Sequence, residues 1–501
     1  MLVGCGLGGT SLINANVSIR AEPRVFADPR WPADLRAENM KHLDAGYALA
    51  EHMLSPRPYP ESYPPLPKLV ALQRSAEAMR QPFRRTNINV TFEDGINSAG
   101  VAQKACINCG DCCSGCNYSA KNTVLMNYLP DAKRCGAEIF VEVGVRHVER
   151  RDDGLWNVHY QVLDTGREKF DAPTLFVTAK IVVLSAGTLG STEILLRSKQ
   201  RGLSLSDRVG QGFSGNGDML GFGYNCEPVL EGIGHGHHPP GSMPPVGPCI
   251  TGIIDMRDAP GLADDIIIEE GSIPGAIAPL LGLAFQLAAD YSGTNTAPET
   301  AFAQRLRELD TLVRGPYHGA ARHTQTYLVM GHEANDGVMK LADDALRIDW
   351  PGVGDQPIFA KMNAHLRDAT SALSGILVRD PIWNPKLGER LHELFGEGTM
   401  QAFEGLATMV RKGHVVAADG AAVYLPHLDR MALPIRFIHG AENQCYLPAS
   451  TEETVAALSA VNDPALYSRE VIPGYGHIDC IFGKNAAVDV FPFIVEHLDA
   501  T

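Results

Sequence analysis

The stretch KIVVLSAGTLGSTEILLRS, Lys180 to Ser198, decides how the rest of the chain is read. Ile181-Val182-Val183-Leu184 is a short β-branched apolar run and predicts a buried strand. The small residues Ala186 to Ser191 predict a turn. Thr192-Glu193-Ile194-Leu195-Leu196 predicts the first turns of a helix, with Ser191 as its cap and Glu193 near its positive end. Strand, glycine turn and helix N-terminus bring backbone N–H groups together where a phosphate or a flavin can approach. An ordinary βα junction has the same outline.

Around that stretch lie 501 residues, enough for roughly two to four domains. An apolar content of 45% with 20% charged residues describes a soluble globular chain with ample core. The net charge of −15 argues against nucleic acid as a partner, because phosphate binding needs a basic face. The longest apolar stretch, Ile273 to Ala289, is broken by Pro274, Gly275, Pro279 and Gly282, so no transmembrane segment is expected. No basic start with a long apolar run marks a signal peptide. With 11 cysteines in a chain of this size, the expectation is a reducing, cytoplasmic location.

The start, GCGLGGTSLINANV, matches G-x-G-x-x-G at Gly4, Gly6 and Gly9, with Glu22 near the distance of a ribose-binding acid. A dinucleotide fingerprint needs a full strand before its first glycine, and only Met1-Leu2-Val3 stand there, so that reading is set aside. In ACINCGDCCSGCNYSAKNT, the residues Cys106, Cys109, Cys112 and Cys116 have the C-x2-C-x2-C-x3-C spacing of an iron–sulfur or zinc set. Asn117 stands where a proline follows the fourth cysteine in ferredoxins, and a reduced structural loop is the competing reading. From Ala137 to Lys180 the pattern turns to β, with Asp152-Asp153-Gly154 as a hairpin turn. His235, His237 and His238 lie in a glycine- and proline-rich segment that reads as a flexible surface loop rather than a metal site. Ile266 to Gly271 reads as a strand ending in two carboxylates, Glu269 and Glu270.

AGTLGSTEILLRS resembles a signature of the glucose–methanol–choline (GMC) oxidoreductases, FAD enzymes that oxidise alcohols, and is most similar to the cholesterol-oxidase-like branch. LSDRVGQGFSGNGDMLGFGYN, Leu205 to Asn225, resembles the same branch. The resemblance implies FAD as cofactor and the CH–OH group of a small, sterol-like alcohol as substrate. Gly6 to Val17 is similar to a family loop that packs along the flavin. It implies flavin-side roles for Gly8, Gly9 and Asn14, for the backbone of Val145 near the adenine, and for Ala186 and Gly187. The branch uses a glutamate near the ring as a base, which makes Glu269 and Glu270 candidates. Its cysteine-bearing loop resembles residues 106–116, and a cluster there is not part of the usual mechanism. The family's ADP-binding fingerprint precedes the flavin loop and its H-P-x-G-G segment supplies a catalytic histidine. Neither is present, so the expectation is an N-terminally truncated chain.

Near Leu387-Gly388 the resemblance changes. LPIRFIHGAENQCYLPASTEETVAAL and VIPGYGHIDCIFGKNAAVDVFPFIVEHL resemble the last part of a lipase-like α/β-hydrolase. His477 matches the triad histidine, and Asn443 occupies the acid position, with Glu442 and Asp479 as substitutes. No G-x-S-x-G elbow supplies a nucleophile. The fold expected is α/β and α+β: an incomplete FAD-binding GMC fold with a mixed-sheet substrate domain, then a partial α/β-hydrolase lobe. The domains are 1–225, 226–388 and 391–501. Two other readings stay open, a catalytically inactive fusion remnant prone to self-association and an α/β-hydrolase with an unrecognised nucleophile.

Overall fold

Seven antiparallel strands make the largest sheet, in the order Phe83–Arg85, Gly252–Met256, Ile266–Gly271, Gln325–Met330, Met219–Tyr224, Ile376–Arg379 and Thr294–Asn295. The structure is a computed structural model describing residues 6–37, 41–163, 173–279, 285–286, 288–289, 293–296, 301–379, 408–409, 411–417, 419–443, 447–476, 479–483 and 485–500. It divides into two units, Met1–Arg390 and Leu391–Thr501.

In the first unit the strand Ile266–Gly271 is buried along its whole length. Its pattern is continuous rather than alternating because both of its faces are covered. Ile266 and Ile268 point to one face, where Leu72 and Ala76 of the helix Pro67–Met79 and Met362 and Leu366 of the helix Pro357–Ser371 close a core with Ile254, Tyr327 and Val329. Both helices begin on a proline, whose missing N–H costs nothing in a first turn. Each fully buried isoleucine or leucine in this layer contributes about 1.5–3 kcal/mol. Period-two alternation then places Glu270 on the helix-covered face and Glu269 on the other.

A second antiparallel sheet joins Val143–Arg150, Trp156–Val162 and Leu175–Ala179. The hairpin between its first two strands turns at the expected Asp153-Gly154, where Gly154 N–H donates to Arg151 O at 3.1 Å. The helix Gly187–Gln200 packs on this sheet, and the buried Ser198 Oγ accepts the Val148 N–H at 2.9 Å. A third sheet pairs Ala345–Asp349, Gly337–Ala342 and Gln211–Phe213.

The deciding stretch departs from its reading in two respects. Residues 181–185 belong to no strand, and Ile181 and Val183 are 81% and 78% exposed. Among the described residues no neighbouring strand pairs with this run, and a β-branched sequence makes a strand only when a partner takes its N–H and C=O groups. The helix starts at Gly187, not Thr192, with Ala186 as its cap residue. Ser191 Oγ accepts the Ala186 N–H at 3.0 Å from inside the first turn.

The second unit is built on a parallel pair, Ile435–Gly440 and Tyr467–Ile472, joined through the helix Pro448–Ser459. Parallel strands need such a crossover. Ile438, Ile472, Tyr475, Ala486, Val490 and Phe493 form its core, with the helix Phe491–Ala500 closing it. A Cβ on Gly440 would lie 2.2 Å from Tyr475 O, so only glycine lets this strand end pass the 475–476 backbone.

Candidate functional site

The two carboxylates of the strand Ile266–Gly271 have opposite environments. Glu270 Oε2 pairs with Lys68 Nζ, and both side chains are buried. Its Oε1 accepts from the backbone N–H of Thr251 at 2.7 Å and of Gly252 at 3.0 Å, and from the Thr251 hydroxyl. Lys68 also donates to Cys249 O at 3.0 Å. Every strong acceptor position of Glu270 is used, so this carboxylate is a structural anchor tying Pro67–Met79 to the sheet.

Glu269 is 1% exposed, and among the described residues its Oε1 has no hydrogen-bond partner. Burial, and then the negative charges of Asp218, Cys249 and Glu270, push its carboxyl up to about 8. It stands opposite Leu328 in the antiparallel register, so the two share a face of the sheet. Leu328, Ala15 and Val17 all pack against the cluster of Cys112, Cys249 and Ile250. The face that carries Glu269 is therefore the face turned to the glycine loop at residues 6–17.

That loop is held from several sides. Ser11 Oγ donates to Gly8 O at 2.6 Å and accepts the Val124 N–H at 3.0 Å. Val17 bridges to Ile88, and Asn89 N–H donates to Asn16 O at 2.9 Å. Gly8 and Gly9 both have positive φ, and nothing lies within 4 Å of a Cβ built on Gly9. Asn14 is exposed, while Asn16 is buried beside the Cys112 thiol and among the described residues finds no oxygen or nitrogen partner for its Nδ2 or Oδ1. An open glycine turn beside an unsatisfied buried amide fits a flat polar ring system laid along the loop.

The remaining cofactor-side candidates lie on the second sheet and its helix. Val145 is half-buried, next to a register shift in the strand Val143–Arg150. Ala186 and Gly187 are exposed at the start of a 14-residue helix whose cap residue makes no side-chain hydrogen bond. The first N–H groups there are open to an anion.

Cys106, Cys109, Cys112 and Cys116 line one small cavity, of about 20 Å³, with Val90, Tyr118 and Lys121 among its other walls. Among the described residues no three His, Cys, Asp or Glu converge closely enough to hold a single metal ion. Cys113 Sγ lies 3.4 Å from Cys249 Sγ and donates to it. The histidine-rich segment is less loose than its composition implies. His235 is buried, its Nε2 lies 2.9 Å from Pro244 O, and its backbone N–H donates to Cys109 O at 2.8 Å. Lys68 and Cys249 carry no motif, and only the packing brings them to the site, whereas Asn16 lies in the Gly6–Val17 loop and Lys121 in the stretch that ends AKNT.

In the second unit Glu442 N–H donates to Tyr475 O at 2.9 Å, and Asp479 Oδ2 accepts the Gly476 N–H at 2.7 Å. Asn443 is buried in the turn after Ile435–Gly440. His477 lies outside the described residues. Among the described residues no helix is long and apolar enough to cross a membrane.

Residues 1–214 match the GMC oxidoreductase family model. A cholesterol oxidase of Mycobacterium tuberculosis is 33% identical over 228 residues, which cover 42% of this chain and 38% of that protein. A cholesterol oxidase of Acinetobacter baumannii is 28% identical over 241 residues, covering 44% of this chain and 42% of that protein. The chain thus spans about two fifths of the length of these relatives.

Proposed function

We propose that this chain acts as an FAD-dependent oxidoreductase on the CH–OH group of an alcohol, sterol-like in shape. The observation that carries this reading is Glu269: a buried carboxyl with a free oxygen, on the sheet face turned to the glycine loop. Bound FAD would supply the hydride acceptor. The chain's own part is to place the alcohol oxygen against Glu269 and to take its proton there. A base with a pKa near 8 combines a usable fraction of carboxylate at neutral pH with a strong pull on the proton.

Gly8, Gly9 and Asn14 would lie along the flavin ring. The helix N-terminus at Ala186 and Gly187 would face the pyrophosphate, with the Ala186 N–H held by Ser191 Oγ, and the Val145 backbone would meet the adenine. The names of the similar cholesterol oxidases support a sterol as the probe of choice. In this reading residues 1–225 serve the cofactor and 226–388 the substrate, while 391–501 form a tail that hydrolyses nothing. Glu270 keeps its place in the Lys68 pair and takes no proton from substrate.

The test is to titrate the purified chain with FAD, follow flavin fluorescence and absorbance, and then add cholesterol anaerobically. Retained flavin that bleaches with cholesterol, and no longer bleaches in Glu269→Gln although flavin is retained, is the expected result. A chain that holds no flavin, or a Glu269→Gln variant that reduces its flavin at the normal rate, overturns the reading.

A further inference from the structure

We propose that Cys113 and Cys249 form a modification site, a dithiol that a hydroperoxide oxidises to a disulfide.

The two cysteines are 136 positions apart in the chain, and their sulfurs lie 3.4 Å from each other. Cys113 sits in the one-turn helix Cys112–Ser114, and Cys249 stands just before the strand Gly252–Met256. Sulfurs in contact mean that the two side chains already point toward one another, the condition that most cysteine pairs fail. Going from 3.4 Å to a bond of about 2.05 Å asks for an approach of about 1.4 Å, shared between two side-chain rotations. Both cysteines are free thiols, so the pair stands reduced and ready to react.

The backbone on each side is pinned. Lys68 Nζ donates to Cys249 O at 3.0 Å, and Lys121 Nζ donates to Cys112 O at 3.1 Å. Ser272 holds both partners: its Oγ donates to Gly110 O at 2.7 Å, and its carbonyl accepts from Cys249 Sγ at 3.6 Å. Asp111, two residues before Cys113, accepts from Gly275 N–H at 2.7 Å and Gly236 N–H at 2.9 Å. Two groups held in contact in this way react without the cost of an encounter.

Access differs between the two sulfurs. Cys113 is half-buried, whereas Cys249 is 5% exposed, so an oxidant from solvent meets Cys113 first. The Cys113 sulfur bonds to one peroxide oxygen, the O–O bond breaks and water leaves. The Cys249 sulfur then bonds to the Cys113 sulfur, the S–O bond breaks, and the Cys249 proton departs with the hydroxide as a second water. Two thiols lose two electrons, and one hydrogen peroxide becomes two waters. The bond fastens the cysteine loop to the sheet in the cluster where Ala15, Val17 and Leu328 also pack. It also restricts the unfolded chain, so the oxidised protein should resist urea better than the reduced one.

The experiment treats the reduced, desalted whole chain with hydrogen peroxide, blocks the remaining thiols with iodoacetamide, digests without reductant and reads the linked peptides by mass spectrometry. Trypsin leaves five cysteines together in residues 105–121, so fragmentation within that peptide assigns the bridge. The expected product is a Cys113–Cys249 bridge, lighter by about 2 Da than the reduced pair, undone by dithiothreitol, with the urea midpoint shifted upward. Cys249→Ser should lose the bridge, while Cys135→Ser, at an exposed cysteine elsewhere, should keep it. The proposal is overturned if both thiols stay open to iodoacetamide at a peroxide dose that consumes Cys135. It is equally overturned if either pairs with a different cysteine, or if Cys113 goes on to sulfinic acid beside a free Cys249. These outcomes are read on the unsubstituted chain, so they decide the matter even if Cys249→Ser fails to fold, and none depends on flavin or on catalysis.

Discussion

Glu269→Gln separates the electrostatics of the candidate base from its chemistry. The carboxyl moves from an ordinary value of 4.5 to about 8 on folding. Between those two pH values the folded chain keeps a proton that the unfolded chain has released. Raising the pH therefore pulls the equilibrium toward the unfolded chain, by about 1.4 kcal/mol per pH unit. Across the window this amounts to at most about 5 kcal/mol, and local relaxation and water entry reduce it. Stability is full below the unfolded value, falls through the window, and levels off above the folded value. Glutamine stays neutral throughout, so the variant escapes this loss. Urea unfolding of both proteins at about pH 5 and about pH 8.5 isolates the site, because titrations that do not couple to Glu269 cancel in the difference and only its neighbours Asp218, Cys249 and Glu270 enter with it. The variant should gain at least about 2 kcal/mol on the wild type between the two conditions. A difference that stays flat with pH would refute a buried, proton-holding Glu269, whatever the activity shows.

Three further outcomes follow from single contacts. Lys68→Met leaves the Glu270 carboxylate buried without its cation and should cost about 3–5 kcal/mol. Lys68→Met with Glu270→Gln should recover most of that in the same denaturant titration, and a double variant weaker than the single one would sink the ion-pair account. Ser198→Ala strands the buried Val148 N–H and should cost about 1–3 kcal/mol, with faster amide exchange at Val148 as its local sign. Gly440→Ala drives a Cβ onto Tyr475 O and should loosen the 475–476 backbone, read as increased proteolysis confined to residues 391–501; unchanged cleavage there would contradict the close approach.

The sequence by itself determined what is local. The helix through Thr192 to Leu196, the hairpin at Asp153-Gly154 and the strand Ile266–Gly271 follow from periodicity and turn chemistry, which act over a few residues. The glycine loop, the cysteine spacing and the pair of glutamates were legible in the same way. Tertiary structure alone decided which elements find partners and which side chains lose water. Ile181–Leu184 has the composition of a strand and is none, because pairing is a property of two segments. Glu269 and Glu270 are identical in chemistry and adjacent in sequence. One is neutralised by Lys68, 202 positions away along the chain, and the other is left with a free oxygen. That difference arises because a strand sends successive side chains to opposite faces, and what waits on each face is set by residues distant in sequence.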